Sequence, residues 1–279
     1  MSERAIYIKV NGVDFIYPDG TQALYDINLE IWRGEMIAMI GQNGSGKTTL
    51  SKCLNGLYKP TSGDIIVDGL NSKKGSIVQM VRRVGYVFQN PDHQLFNSSC
   101  WNEIAYGPKN IQLSDVEVKE RVEEAIQVVG LPKIYHDEHP FFLSKGLRQR
   151  VAIASILALR PQVIIVDEPT TGQDIRQSLE IMDFLKNLNE EHGHTIIIIT
   201  HDMPIVGQYA KRVIAMGQGR VMADGSTREV FTQADVLEKT FLSPPQITQL
   251  AQADPTLGFN PGILTVEEMV DQFLALKNN

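Results

Sequence analysis

The sequence predicts an α/β fold with a parallel-sheet core, an antiparallel β layer and an inserted helical lobe. Short continuous apolar runs at 36–40, 163–166 and 195–200 read as strands buried on both faces. Segments 116–129, 148–159 and 178–188 carry apolar residues at helical spacing, and strands alternating with helices imply βαβ crossovers. Ahead of them, residues 6–15 and 27–31 alternate apolar and polar side chains, the pattern of half-exposed antiparallel strands.

Composition bounds the class. A chain of 279 residues, 43% of them hydrophobic, can fill the core of one large domain or of a domain with an appendage. Its 26 basic and 33 acidic residues sum to -7, so there is no general positive field to gather nucleic acid, and no nucleic-acid partner is expected. The two cysteines, Cys53 and Cys100, are too few for a disulfide framework and sit near apolar runs, which suits buried thiols in a reducing compartment. No apolar run approaches the ~20 residues that cross a bilayer. The opening residues Met1, Ser2, Glu3 and Arg4 lead into an alternating strand pattern rather than a signal-peptide core. Any membrane role is therefore expected to be peripheral.

In chain order, the strand at 36–40 is followed by a Gly-rich turn and an apolar helical run through Leu50, Cys53, Leu54 and Leu57. A further strand is expected at 84–88, and residues from about 90 to 160 read as mainly helical, inserted between two core strands. Within that lobe Val118, Val122, Ala125, Ile126 and Val129 share one helix face. Beyond about residue 230 the prolines Pro244, Pro245, Pro255 and Pro261 precede one more amphipathic segment, Val266, Met269, Val270, Phe273 and Leu274. The expected division is a main domain over 1–230 and a C-terminal extension over 231–279.

The turn after 36–40 is Gly41-Gln42-Asn43-Gly44-Ser45-Gly46-Lys47-Thr48, followed by Thr49, and it matches the phosphate-binding G-x-x-x-x-G-K-[ST] pattern in its required strand–turn–helix context. Glycines let backbone N–H groups curl around phosphate oxygens, the helix N-terminus adds its positive end, Lys47 supplies a cation and Thr48 a Mg²⁺ ligand. A metal carboxylate is provided by Asp167 at the end of the 163–166 strand. Glu168, one residue on, can act as general base on an attacking water, which favours hydrolysis over mere nucleotide binding. His201 follows another apolar strand and can contact a γ-phosphate or the lytic water at the same sheet edge.

Taken together these residues resemble the ATP-binding cassette (ABC) ATPase family over about residues 5–230. The resemblance rests on the P-loop, Asp167-Glu168, Gln89 after the 84–88 strand, the segment 143–150 and His201. It implies a P-loop NTPase fold with a RecA-like core, an antiparallel β subdomain, an inserted helical subdomain at about 90–160 and a C-terminal extension, with ATP and Mg²⁺ as ligands. It assigns Tyr17 to adenine stacking, Gln89 beside Thr48 and Asp167 to the metal, and 169–174, ending at Asp174, to a loop that crosses a dimer interface. The segment Leu143-Ser144-Lys145-Gly146-Leu147-Arg148-Gln149-Arg150 departs from the family's Leu-Ser-Gly-Gly-Gln at Lys145 and Leu147, while Ser144 and Gly146 remain. In the family this segment closes on the γ-phosphate held by a second cassette. Lys145 adds charge there but also bulk, so its effect on hydrolysis stays open.

Residues 89–96 and 244–250 are similar to segments of ATPases in energy-coupling factor (ECF) transporters, including cobalt and nickel importers. That similarity implies a peripheral protein at the cytoplasmic face of the cell membrane, working as a homodimer or paired with a similar ABC ATPase. Integral membrane transporter subunits would dock beside the region after Gln89, with Leu95, Phe96, Trp101 and Tyr106 as candidate anchors or core residues. The solute would be a micronutrient, a vitamin or transition-metal ion. Two other readings are a soluble non-transport ABC ATPase and a non-hydrolysing nucleotide-binding subunit.

Overall fold

A computed structural model describes residues 5–277; the opening Met1 to Arg4 lie outside the described residues. The strands in chain order are β1 (Ile6–Ile16), β2 (Gln22–Trp32), β3 (Met36–Ile40), β4 (Ser62–Val67), β5 (Leu70–Asn71), β6 (Val84–Val87), β7 (Val163–Asp167), β8 (Thr195–Ile199), β9 (Arg212–Gly217) and β10 (Arg220–Ser226). The helices are α1 (Lys47–Leu54), α2 (Ile77–Val81), α3 (Cys100–Asn110), α4 (Asp115–Val129), α5 (Lys145–Leu157) and α6 (Ile175–Glu190). They continue with α7 (Met203–Tyr209), α8 (Thr227–Phe231), α9 (Ala234–Thr240), α10 (Gln246–Ala253) and α11 (Val266–Lys277). Two sheets form, an antiparallel one in the order β2-β1-β4-β5 and a six-stranded one in the order β10-β9-β3-β8-β7-β6. From β9 to β6 the second sheet is parallel, and β10 closes its edge as an antiparallel hairpin with β9.

Successive side chains of a strand face opposite ways, and that alternation sorts the core. Ile37, Met39, Ile165, Ile197 and Ile199 point to the face covered by α1 and the antiparallel sheet, where they meet Leu50, Cys53, Leu54 and Val13. Met36, Ile164, Val166, Ile196 and Ile198 point to the opposite face and pack on α3 to α6. Because both faces are covered, β3, β7 and β8 are buried at every position, which is why they read as unbroken apolar runs. The helical face expected in α4 is the buried one, residue for residue. That helix is bounded by a Ser114–Glu117 capping box and by Gly130 in the left-handed region, so its ends are set by local chemistry. Leu57 lies past the end of α1 and is exposed, since the helix stops at Leu54.

The chain beyond residue 230 is not laid loosely on the surface. Val230, Phe231, Val236, Leu237 and Leu264 form a third cluster with Ala38 and Ile40 of β3 and with Met203 and Val206 of α7. Phe231 is fully buried there. Farther on, Ala251, Ile263 and Met269 make a separate small cluster between α10 and α11. Of the expected amphipathic stripe on α11, Met269 turns inward, whereas Val266, Val270, Phe273 and Leu274 remain exposed. Among the described residues no helix is long and apolar enough to cross a membrane.

Candidate functional site

The carboxyl ends of β3, β8, β7 and β6 are neighbours in the sheet, so the segments that follow them converge on one edge. After β3 the chain reverses through 41–46, and two glycines there are demanded by space. Gly41 lies at φ +150°, where a Cβ would come within 2.3 Å of the Met216 carbonyl oxygen. Gly46 lies at φ +101°, where a Cβ would come within 2.9 Å of the Ala23 carbonyl oxygen. With glycine as its N-cap, α1 has no side chain capping its first-turn N–H groups, which leaves them for an anion. The β9–β10 turn backs the loop: Gly219 N–H donates to the Ser45 carbonyl (3.1 Å) and the Gly219 carbonyl accepts from Tyr25 N–H (2.9 Å).

Above the loop opens a cleft of about 470 Å³ lined by Tyr17, residues 21–23 and 43–49, Gln89, Asp167, Glu168, Ile199 and His201. Asn43, Gly44, Ser45, Gly46, Lys47, Thr48 and Thr49 all reach it, while Gly41 and Gln42 lie behind. Their carbonyls accept from Lys47 Nζ at 2.7 and 2.8 Å. Burial lowers the Lys47 pKa, against the opposing pull of the Glu168 and Asp167 charges. At one end of the cleft Tyr17 packs edge-on against Phe15 and Tyr58, and its hydroxyl bonds with Thr49 Oγ1 at 2.7 Å. This offers a fixed aromatic wall at the site expected for adenine.

At the other end lie the carboxylates. Asp167 Oδ2 accepts from the buried Tyr86 hydroxyl at 2.6 Å. Burial raises the Asp167 pKa, partly offset by that hydrogen bond and increased again by the Glu168 charge. Glu168 sits at φ +48°, a left-handed conformation that is strained for a residue with a side chain, and its N–H donates to the Ile199 carbonyl at 2.8 Å. A carboxylate only accepts, so the 2.8 Å contact with Glu168 Oε1 makes His201 Nδ1 the donor. Glu168 Oε2 accepts from the Thr171 hydroxyl at 3.1 Å. A carboxylate fixed by two donors keeps lone pairs for a water proton.

Thr48, Gln89 and Asp167 line the same cleft. Mg²⁺ binds through one or two carboxylates plus substrate phosphates and keeps several waters, so a hydroxyl, an amide and one carboxylate beside a phosphate cradle fit it. Among the described residues no cluster of three or more His, Cys, Asp or Glu forms a dedicated cage. Ser144, Gly146 and Asp174 do not join the cleft of their own chain. Ser144 caps α5 by accepting from Leu147 N–H (3.4 Å), Gly146 faces open space, and Asp174 caps α6 by accepting from Gln177 N–H (2.8 Å).

Several neighbours carry no sequence signal. Tyr86 occupies an inward position in the buried β6, and nothing local distinguishes it from a core residue. Thr171 sits in the 169–174 loop, and its bond to Glu168 depends on how that loop folds back.

Residues 24–171 match the ABC transporter family. The energy-coupling factor transporter ATP-binding protein EcfA2 of Caldanaerobacter subterraneus subsp. tengcongensis is 44% identical, over 96% of this chain and 96% of its own. EcfA2 of Clostridium perfringens is 41% identical over 98% of this chain and 99% of its own. A putative ABC transporter ATP-binding protein from the same Caldanaerobacter is 48% identical over 95% of this chain, which spans 45% of that relative's length. Among solved structures, cbiO1 of Clostridium perfringens, described as part of the ABC transporter complex cbiONQ, has a TM-score of 0.75 at 40% identity, covering 89% of this chain and all of that one. The dimeric cassette MJ0796 bound to ADP and Pi has a TM-score of 0.69 at 29% identity, covering 78% of this chain and 98% of its own. By domain, by near full-length relatives and by fold, the chain belongs to the ABC transporter family as an ATP-binding cassette of the energy-coupling factor type.

Proposed function

We propose that this cassette is the ATP-hydrolysing subunit of an ECF-type importer, pairing with a second cassette and driving membrane subunits that take up a vitamin or transition-metal ion. The single observation that carries the reading is the fixed Glu168–His201 pair at the lip of a P-loop cleft. In the step we infer, Glu168 takes a proton from water, the water oxygen bonds to the γ-phosphorus, and the β–γ bridging oxygen leaves with ADP. Lys47 and the loop N–H groups hold the phosphates, His201 Nε2 faces the γ-phosphate, and Tyr17 stacks on adenine. Thr48, Asp167 and Gln89 would hold a Mg²⁺, which would supply charge neutralisation to the phosphates. Ser144, Gly146 and Asp174 serve the site of the facing cassette, which is consistent with their lying outside their own cleft.

The membrane-facing surface is assigned to the region after Gln89, in refined form. Leu95 is buried against the helical lobe and Trp101 is partly buried on it, so neither is a free anchor. Phe96 (62% exposed) and Tyr106 (45% exposed) pair edge-on with centroids 4.8 Å apart and offer an apolar patch for a helix of the membrane partner. On this reading the chain works at the cytoplasmic face of the membrane, held there by its partners. We assign 1–230 to the ATPase and 231–279 to an extension that steadies the cassette pair, in keeping with the exposed apolar residues of α11. The test is co-purification from detergent extracts with ATPase assay. Recovery with integral membrane proteins and Mg-ATP turnover supports the reading; a soluble partner set or absent turnover refutes it.

A further inference from the structure

The residue that departs from the family's glycine at the third position of 143–150 is engaged inside its own cassette. Lys145 opens α5, and its ammonium donates to the Thr171 carbonyl at 2.7 Å. The path from there to Glu168 is short: the Thr171 hydroxyl donates to Glu168 Oε2 (3.1 Å) and the Thr171 N–H to the Glu168 carbonyl (3.2 Å). One turn along α5, the Gln149 side-chain oxygen accepts from Gln173 Nε2 at 2.7 Å, a second clamp on the same loop. On the other flank Arg148 pairs with Asp92, in the segment after Gln89, at 2.7 Å. The first turns of α5 therefore touch both the partner-facing segment and the loop that carries the general base. Glu168 needs such support, because a non-glycine residue at φ +48° persists only where its surroundings over-determine it.

We propose that Lys145 is a positioning residue that ties the 169–174 loop to α5 of its own chain and, through Thr171, sets the pose of Glu168. Displacement of the helical lobe is then transmitted to the base within one cassette. A glycine has no group that can do this. The proposal rests on Glu168 being the base, and the controls separate the two.

The full chain is compared with Lys145→Met, Lys145→Arg, Thr171→Val, the Lys145→Met/Thr171→Val double variant and Glu168→Gln. A hydrogen bond to a charged group is strong enough that its loss should speed amide exchange of residues 169–174 about tenfold or more in Lys145→Met, while Lys145→Arg retains protection. In steady-state ATPase assays Lys145→Met should lower kcat roughly tenfold with the KM for ATP held within about twofold, Lys145→Arg should restore most of it, and adding Thr171→Val to Lys145→Met should cost nothing further. Unchanged kcat in Lys145→Met overturns the proposal, as does a raised KM at constant kcat, which would put the ammonium on phosphate instead. Wild-type turnover by Glu168→Gln overturns the base assignment itself. A Glu168→Gln variant that is dead beside a fully active Lys145→Met overturns the role of Lys145 alone.

Discussion

Replacing Tyr86 by Phe isolates one hydrogen bond on the proposed metal carboxylate. Tyr86 is buried, and burial followed by the Asp167 charge raises its pKa, so the phenol stays protonated and donates to Asp167 Oδ2 at 2.6 Å. Phenylalanine keeps the ring volume and the edge-on contact with Phe88 at 5.3 Å, so no cavity opens. What is lost is one charge-assisted bond, worth ~1.5–3 kcal/mol. Removing an outer partner of a metal-ligating carboxylate typically costs ~10–100-fold in metal affinity, or about 1.4–2.7 kcal/mol, the same range. Titrating a fluorescent ATP analogue against Mg²⁺ should therefore show the half-saturating Mg²⁺ concentration rising ~10–100-fold in Tyr86→Phe. Affinity in chelator should stay within about twofold of wild type. An unchanged or lowered Mg²⁺ requirement refutes the idea that Tyr86 orients Asp167. An equal loss in chelator places Tyr86 with the nucleotide seat instead.

Lys47→Ala should weaken ATP binding severely, since loop N–H groups alone must then face a multiply charged triphosphate; equal affinity by isothermal titration contradicts the cradle as described. Phe231→Ala should cost ~3–5 kcal/mol in urea unfolding, because the ring is fully buried between the sheet and the C-terminal helices. A loss under ~1 kcal/mol would show that this end of the chain is not part of the core. Phe96→Glu and Tyr106→Glu should abolish co-purification with membrane subunits while sparing ATP binding, and intact assembly moves the docking surface elsewhere. Burial pushes the Cys53 thiol up to about 12 and the Cys100 thiol up to about 11, so neither should react with a disulfide reagent at neutral pH until the protein unfolds. Rapid labelling of the native chain contradicts their placement.

Much of this was legible in the sequence because the informative residues are local. The P-loop pattern, the Asp167-Glu168 pair and His201 each follow an apolar run, and a run buried on both faces announces itself without tertiary knowledge. The α4 face was readable for the same reason. Contacts distant in sequence were not. Tyr86 and Asp167 lie on neighbouring strands separated by the whole helical lobe, and Lys145 meets Thr171 across α5, β7 and a loop. Leu95 looked equally suited to anchor or core, and only packing against the helical lobe decides it. Phe231 falls where the punctuation suggests an appendage, yet the sheet face at Ala38 and Ile40 of β3 needs a cover and the chain past 230 provides it. A truncation meant to test the extension should therefore keep residues through Leu242, leaving α8 and α9 on the sheet.

Whether this cassette hydrolyses ATP with Glu168 as base is decided by measuring phosphate release from Mg-ATP by wild type and Glu168→Gln at matched nucleotide occupancy. The amide keeps the shape, its oxygen can still accept from His201 and its NH2 can donate to the Thr171 hydroxyl, but basicity is removed, so release should fall ~10²–10⁴-fold with ATP binding retained. Phosphate release by Glu168→Gln at the wild-type rate would show that Glu168 is not the base.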